Sequence, residues 1–273
     1  MEFQILTLFL AFLLTGFFSG LIAGLLGVGG GIITVPVTYY VLISLNYTMD
    51  VVMHCAIASS LAIILLTSLS SIRSHSILGN IDLLIIKKIV FGVILGSILG
   101  SIFASLIQGK YLIFIFIVFA FLISLNLFFD KKFSNILEDL PRNNILNNLI
   151  GGVIGFLSAL IGIGGGTFTV PTLLAFSKGI HKAVGTSTLV GFFISLPGFL
   201  TYIFTGWNVP NLPPFSIGYV NILIVLITAS VSIITAHFGA RISNKTKTLA
   251  LKKIFAVFLF CTCISLLLKE FFL

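Results

Sequence analysis

The sequence predicts an all-α integral membrane protein, with about ten transmembrane segments arranged as two inverted five-segment repeats and a glycine-broken helix in each. Three observations carry this. Of 273 residues, 58% are hydrophobic and 8% charged, with a mean hydropathy of +1.24, more apolar surface than a soluble domain can cover with polar groups. Apolar stretches of about 20 residues, the length that crosses a bilayer as a helix, recur from end to end. One phrase is also written twice: residues 16–36 read GFFSGLIAGLLGVGGGIITVP and residues 151–171 read GGVIGFLSALIGIGGGTFTVP.

Taken in order, the apolar segments run at about 3–26, 32–45, 52–72, 83–107, 111–129, 145–161, 167–177, 183–205, 216–240 and 249–268. The second and seventh follow the triple glycines and are too short to span comfortably, as half-helices paired with the broken ends before them would be. Charges cluster on the connection 130–144, which holds Lys131, Lys132, Glu138, Asp139 and Arg142 and separates a first repeat (1–129) from a second (145–273). Five segments per repeat is an odd number, so the second copy is inverted about a pseudo-two-fold axis in the membrane plane. Thirteen of the 15 Lys and Arg residues fall on alternate connections, and only Lys110 and Lys269 lie on the other side. The positive-inside bias then puts the linker in the cytoplasm and both termini outside it. With only one short segment re-entrant, the split would be much more even. Only Met1-Glu2 precede the first segment, with no basic stretch, so a cleaved signal peptide is not expected.

The net charge of +8 reads as cytoplasmic loops of a membrane protein, and no nucleic-acid partner is expected. Cys55, Cys261 and Cys263 sit in apolar segments at no metal-ligand or redox spacing and read as small buried hydrophobes. Neither a metal site nor a cofactor is expected. Gly27-Val28-Gly29-Gly30-Gly31 superficially resembles a dinucleotide loop, but no strand precedes it and no acidic residue follows at ribose distance.

In a membrane, adjacent glycines let the backbone unwind and approach a ligand closely. The helix restarting after them offers free N–H groups and a positive dipole end, which suits an anion. Gly29, Gly30 and Gly31 with Gly164, Gly165 and Gly166 are therefore candidate substrate-binding residues. Pro36 and Pro171 lie about one turn into the restarted helices, where a missing N–H costs little. The Gly92-x-x-x-Gly96-x-x-x-Gly100 series reads instead as helix packing.

A second pair of matched segments, His54 to Ser60 and His181 to Ser187, is offset by 127, against 135 for the glycine phrase. It brings Ser59-Ser60 and Thr186-Ser187, which open the third and eighth segments, forward as hydroxyl donors to an anion, the alternative being bonds back to the preceding turn. His54 and His181 read as helix-start or interfacial groups before proton-transfer groups. Lys182 stands where the first copy has Cys55 and would bias one half toward anions. His237 and Arg241 are accessory candidates, with snorkelling the simpler reading for Arg241. All seven acidic residues fall at segment ends or in loops, which leaves a carboxylate proton relay or a cation cage without support.

These motifs, together with Gly79-Asn80-Ile81-Asp82, Leu212-Pro213-Pro214, Gly218-Tyr219-Val220-Asn221 and Gly239-Ala240-Arg241, resemble the TauE/SafE sulfite-exporter family over nearly the whole length. The resemblance implies a multi-pass carrier of the bacterial inner-membrane type for sulfur-containing or carboxylate anions, such as sulfite, organosulfonates or thiosulfate. The expectation is a secondary transporter, not an enzyme, working by alternating access on a small anion in the lipid bilayer. Proton or ion coupling is open, and a small-anion channel is the alternative.

Overall fold

The computed structural model describes residues 2–129, 140–243 and 249–272. Most of the charged linker, with Lys131, Lys132, Glu138 and Asp139, lies outside the described residues, as do Lys245 and Lys247. The helices are α1 (Glu2–Leu26), α2 (Gly31–Ser44), α3 (Met49–Ile77), α4 (Leu83–Leu106), α5 (Gly109–Phe129), α6 (Asn144–Ile161), α7 (Gly166–Ala175), α8 (Ile180–Thr205), α9 (Ile222–Ser243) and α10 (Leu249–Phe272). A two-stranded hairpin of β1 (Ser216–Ile217) and β2 (Val220–Asn221) precedes α9.

Seven of these helices, α1, α3, α4, α5, α6, α8 and α9, are long and apolar enough to cross a membrane, and α2, α7 and part of α10 are shorter apolar helices. At 1.5 Å per residue the 14 residues of α2 and the 10 of α7 fall well short of a bilayer's apolar core. Large side chains such as Phe91, Leu95, Leu99 and Phe103 on α4 are exposed, as suits a surface solvated by lipid. By contrast 89% of the most apolar window of α3 is buried, so this helix is the axis of the fold.

Packing follows small residues rather than chain order. A Cβ on Gly16, Gly20 or Gly24 of α1 would run into the carbonyls of Thr228, Ser232 and Ala236 on α9. One on Gly92, Gly96 or Gly100 of α4 would meet Asn148, Gly152 and Phe156 of α6. Glycine stripes thus bring α1 to α9 and α4 to α6 at backbone distance, each pair running parallel. Helix α3 joins the first pair: Thr67 Oγ1 is 2.7 Å from Ser232 Oγ, and Ser70 Oγ donates to Ile233 O at 2.7 Å. Helix α8 joins the second, where Ser97 Oγ of α4 donates to Ile194 O at 2.6 Å. Helix α4 therefore packs with α6 and α8, and α9 with α1 and α3. Helices α5 and α10 pair antiparallel outside them, with Ser124 Oγ donating to Ala256 O at 2.8 Å.

Local signals fix the helix starts. Asp82 caps α4 by accepting from Leu84 N and Ile85 N at 3.0 and 3.3 Å, and Asn143 caps α6 by accepting from Ile145 N at 2.8 Å. Asn221 Oδ1 accepts from Ile224 N at 3.1 Å at the start of α9. Two differences from the sequence reading have simple causes. Pro36 and Pro171 are the sixth residues of α2 and α7, beyond the four N–H groups a helix leaves unpaired, so each removes one internal bond. The stretch 216–221, read as the start of a segment, is the hairpin, and α9 begins at Ile222.

Candidate functional site

The two glycine phrases meet at the interface between the bundles. A Cβ added to Gly29 would lie 2.8 Å from Gly164 Cα, and one added to Gly164 would lie 2.7 Å from Gly29 Cα. Gly31 faces the Gly162 carbonyl, and Gly166 faces that of Gly27. The first residues of α2 and α7 therefore lie on one seam, with both positive helix ends turned to it. Conformation explains why glycine is needed in the first copy, where Gly27, Gly29 and Gly30 all have φ between 69° and 81°, a region that side chains avoid. In the second copy only Gly162 has a positive φ, at 68°, so the two breaks are bent differently.

Hydroxyls lock the seam reciprocally. Ser60 Oγ donates to Gly162 O at 2.8 Å and lies 2.7 Å from Thr34 Oγ1. In the matching arrangement, the single proton of Ser187 is shared between Val184 O at 2.7 Å and Gly27 O at 3.2 Å. Their neighbours hold the turns beside the bundles: Ser59 Oγ accepts from Asn221 N, and Thr186 Oγ1 accepts from Asp82 N, both at 2.9 Å. Neither pair opens its helix. Helices α3 and α8 begin earlier than the apolar pattern implies, so both pairs lie about two or more turns inside, where all four hydroxyls are buried.

A water-sized cavity of about 10 Å³ adjoins the first break, lined by Gly27, Gly29, Ser68, Ser71, Thr188 and Gly191 among others. Ser68 and Thr188 donate to Leu65 O and Gly185 O. Ser71 Oγ is buried without a hydrogen-bond partner among the described residues, so it has a proton to offer toward this space. The sequence reading missed Ser68, Ser71 and Thr188, although serines three residues apart in an apolar helix are a legible polar stripe.

The other candidates lie elsewhere. His54 ties the start of α3 to the end of α4: Nε2 is 3.1 Å from Ala104 O and 3.0 Å from Ile107 O, Nδ1 is 2.8 Å from Asp50 O, and the ring stacks on Tyr219 at 4.9 Å. That makes His54 a buried tie near the start of its helix, as the helix-start reading has it, and away from any surface. His181 and Lys182 are exposed in the first turn of α8, so Lys182 is not at the seam. His237 and Arg241 line a groove between α3 and α9 with Arg73. A histidine not singled out from the sequence, His75, is fully buried with Nε2 3.0 Å from Gly24 O.

The seam thus offers backbone N–H ends and hydroxyls and, of the described acidic side chains, none is among its contacts. That chemistry suits an anion. Known proteins agree on the class. The chain is similar to a probable membrane transporter protein of Haemophilus influenzae, 32% identical over 96% of this chain and 99% of the relative. It is also similar to one of Methanocaldococcus jannaschii, 28% identical over 90% of each, and to YunE, a probable membrane transporter protein of Bacillus subtilis, 26% identical over 88% and 90%. No solved structure matches the chain. The profile described as Sulfite exporter TauE/SafE matches residues 12–266, from the middle of α1 almost to the end of α10, and with both glycine breaks inside that match the chain belongs to the TauE/SafE family of membrane transporters.

Proposed function

We propose that the protein is a secondary carrier that exports a small sulfur-containing anion of the sulfite or organosulfonate type by alternating access. The observation that carries this reading is the meeting of two positive helix ends at the Gly29–Gly164 contact, ringed by Ser60, Ser187 and the unpartnered Ser71. Two such ends held together repel, and an anion between them relieves that repulsion. The cavity is smaller than any sulfur oxyanion, so the seam has to part for substrate to enter. The parts that move are the packed bundles, α1–α2–α3–α9 against α6–α7–α8–α4, which meet along α3 and α8, at the glycine contacts and at two serine latches.

Reciprocal contacts support an inverted repeat. Gly31 against Gly162 mirrors Gly166 against Gly27, and Ser60 on Gly162 mirrors Ser187 on Gly27. Gly79 and Gly218 both turn the chain with positive φ before Asp82 and Asn221, which cap α4 and α9. Ten segments, with α2 and α7 as half-helices starting at the midplane, and both termini outside a cytoplasmic membrane fit this arrangement and the charge bias. The test is uptake into proteoliposomes across a panel of sulfite, alkylsulfonates, thiosulfate and short carboxylates. Saturable uptake of a sulfur anion that Ser71→Ala weakens is expected. Uptake confined to cations or neutral solutes would end the proposal.

A further inference from the structure

Outside the seam, the structure holds a second built feature. A groove of about 710 Å³ opens between α3 and α9, lined by Arg73, His237 and Arg241 together with Leu69, Ile77 and Ile233. Its apolar rim is exposed, with Leu69 at 51% and Ile77 at 76%, so it faces the surface that lipid covers. Its polar wall is organised. Ser74 Oγ donates to Ser70 O at 3.1 Å and lies 2.7 Å from His237 Nδ1. The 2.7 Å contact holds the His237 ring at the groove wall. Neither Arg73 nor Arg241 forms a salt bridge or hydrogen bond among the described residues.

The fold does not require these cations. The reciprocal packing of the two repeats puts α8 where α3 stands and α4 where α9 stands. Leu200, Ile98 and Ile102 then occupy the positions of Arg73, His237 and Arg241. Two helices of the same geometry thus pack with an entirely apolar set, and the charges belong to one groove only. They lie at the C-terminal ends of α3 and α9, the ends that the charge bias assigns to the cytoplasm. Basic pockets between spanning helices on that side match the negative lipids of the cytoplasmic leaflet.

We propose that this groove binds one anionic phospholipid, its phosphate between the Arg73 and Arg241 guanidinium groups and its acyl chain along Leu69 and Ile233. Arginine suits the phosphate because its planar fork donates two parallel hydrogen bonds. The bound lipid would stitch α3 to α9 at the end where Ser74 and His237 already join them. The apolar counterpart groove has no such preference.

Native mass spectrometry of the full chain, titrated with phosphatidylglycerol or phosphatidylethanolamine of matched acyl chains, tests this. Phosphatidylglycerol should be retained preferentially. Arg73→Gln with Arg241→Gln should lower its retention by about 30-fold, on a scale of about fivefold per basic residue at a membrane surface. Lysine at both positions should preserve most of the preference, and Lys87→Gln with Lys88→Gln should leave it unchanged. Equal retention of the two lipids, or undiminished binding in the double glutamine variant, overturns the proposal. So does displacement by millimolar inorganic phosphate or sulfite, which would make the groove an entrance for free anions. Should the double variant not fold, a photoactivatable phosphatidylglycerol reacts with the wild-type protein instead. Adducts within residues 66–77 and 233–241 support the site, and adducts only elsewhere overturn it.

Discussion

Removing the Ser60 hydroxyl should loosen the closed seam without disturbing either bundle. Ser60→Ala deletes the 2.8 Å bond to Gly162 O and the 2.7 Å contact with Thr34 Oγ1, leaving a buried carbonyl without this donor. Such an unmade bond costs about 1–3 kcal/mol. The bond crosses from one bundle to the other, so the cost falls on the closed state alone, and the open population should rise about 5- to 150-fold. The reporter is a cysteine at Ser71, beside the seam cavity, with Cys55, Cys261 and Cys263 replaced by alanine, and the assay is its rate of maleimide labelling in membranes. Ser187→Ala should act in the same direction but less, because in the parent the Ser187 proton goes mainly to Val184 O within α8 at 2.7 Å and only the longer, 3.2 Å bond crosses to Gly27 O. Thr67→Ala removes a comparable pair of bonds, to Ile63 O and Ser232 Oγ, inside one bundle, and should leave the labelling rate near that of the parent. Equal acceleration by Thr67→Ala and Ser60→Ala would mean that the seam is no weaker than the bundle interior and that the bundles do not part there.

Gly30→Leu should abolish transport while membrane insertion persists, because φ is 77° there and a Cβ would lie 2.6 Å from Ser19 O; Gly165→Leu should do the same through its contact with Gly191 N at 2.9 Å. Full flux in either variant, measured beside protein level in the membrane, would remove the glycine breaks from the mechanism. His54→Ala should lower stability by about 1–3 kcal/mol, read as an earlier thermal transition in detergent, through loss of the Ala104 and Ile107 contacts; an unchanged transition would show that the tie carries no load. Cysteines at Arg142 and Lys110, both exposed, should label from the cytoplasm and from outside respectively, and the reverse pattern would overturn the orientation.

Much of this was legible before any coordinates, because in lipid the spanning rules are few. Segment ends read from apolar runs lie within a few residues of the helices over most of the chain, since a helix is the only way to satisfy a lone apolar backbone run there. The repeated glycines announced that the two breaks would meet, as Gly29 and Gly164 do. What the pattern did not carry was partner choice. Nothing local in Gly16, Gly20 or Gly24 says that their neighbour is α9, more than 200 residues on, and the packing of α4 with α6 and of α9 with α1 is a tertiary fact. Hydroxyl roles were hidden for the same reason: whether Ser60 bonds its own turn or Gly162 depends on what packs opposite. Ser68 and Ser71 form a polar stripe on α3, but which neighbour that stripe faces is set by tertiary packing and not by the helix itself. Lys182 misled in the opposite way, since a matching sequence position at a helix start faces outward while its neighbours a turn later face the seam.

A binding site that parts and closes should show counterflow. In proteoliposomes, labelled uptake of the best anion from the panel should saturate with concentration and speed up when the vesicles are preloaded with the same unlabelled anion, because a loaded carrier returns faster than an empty one. Flux that rises in proportion to concentration, carries current and ignores preloading would rule out a carrier and identify a channel.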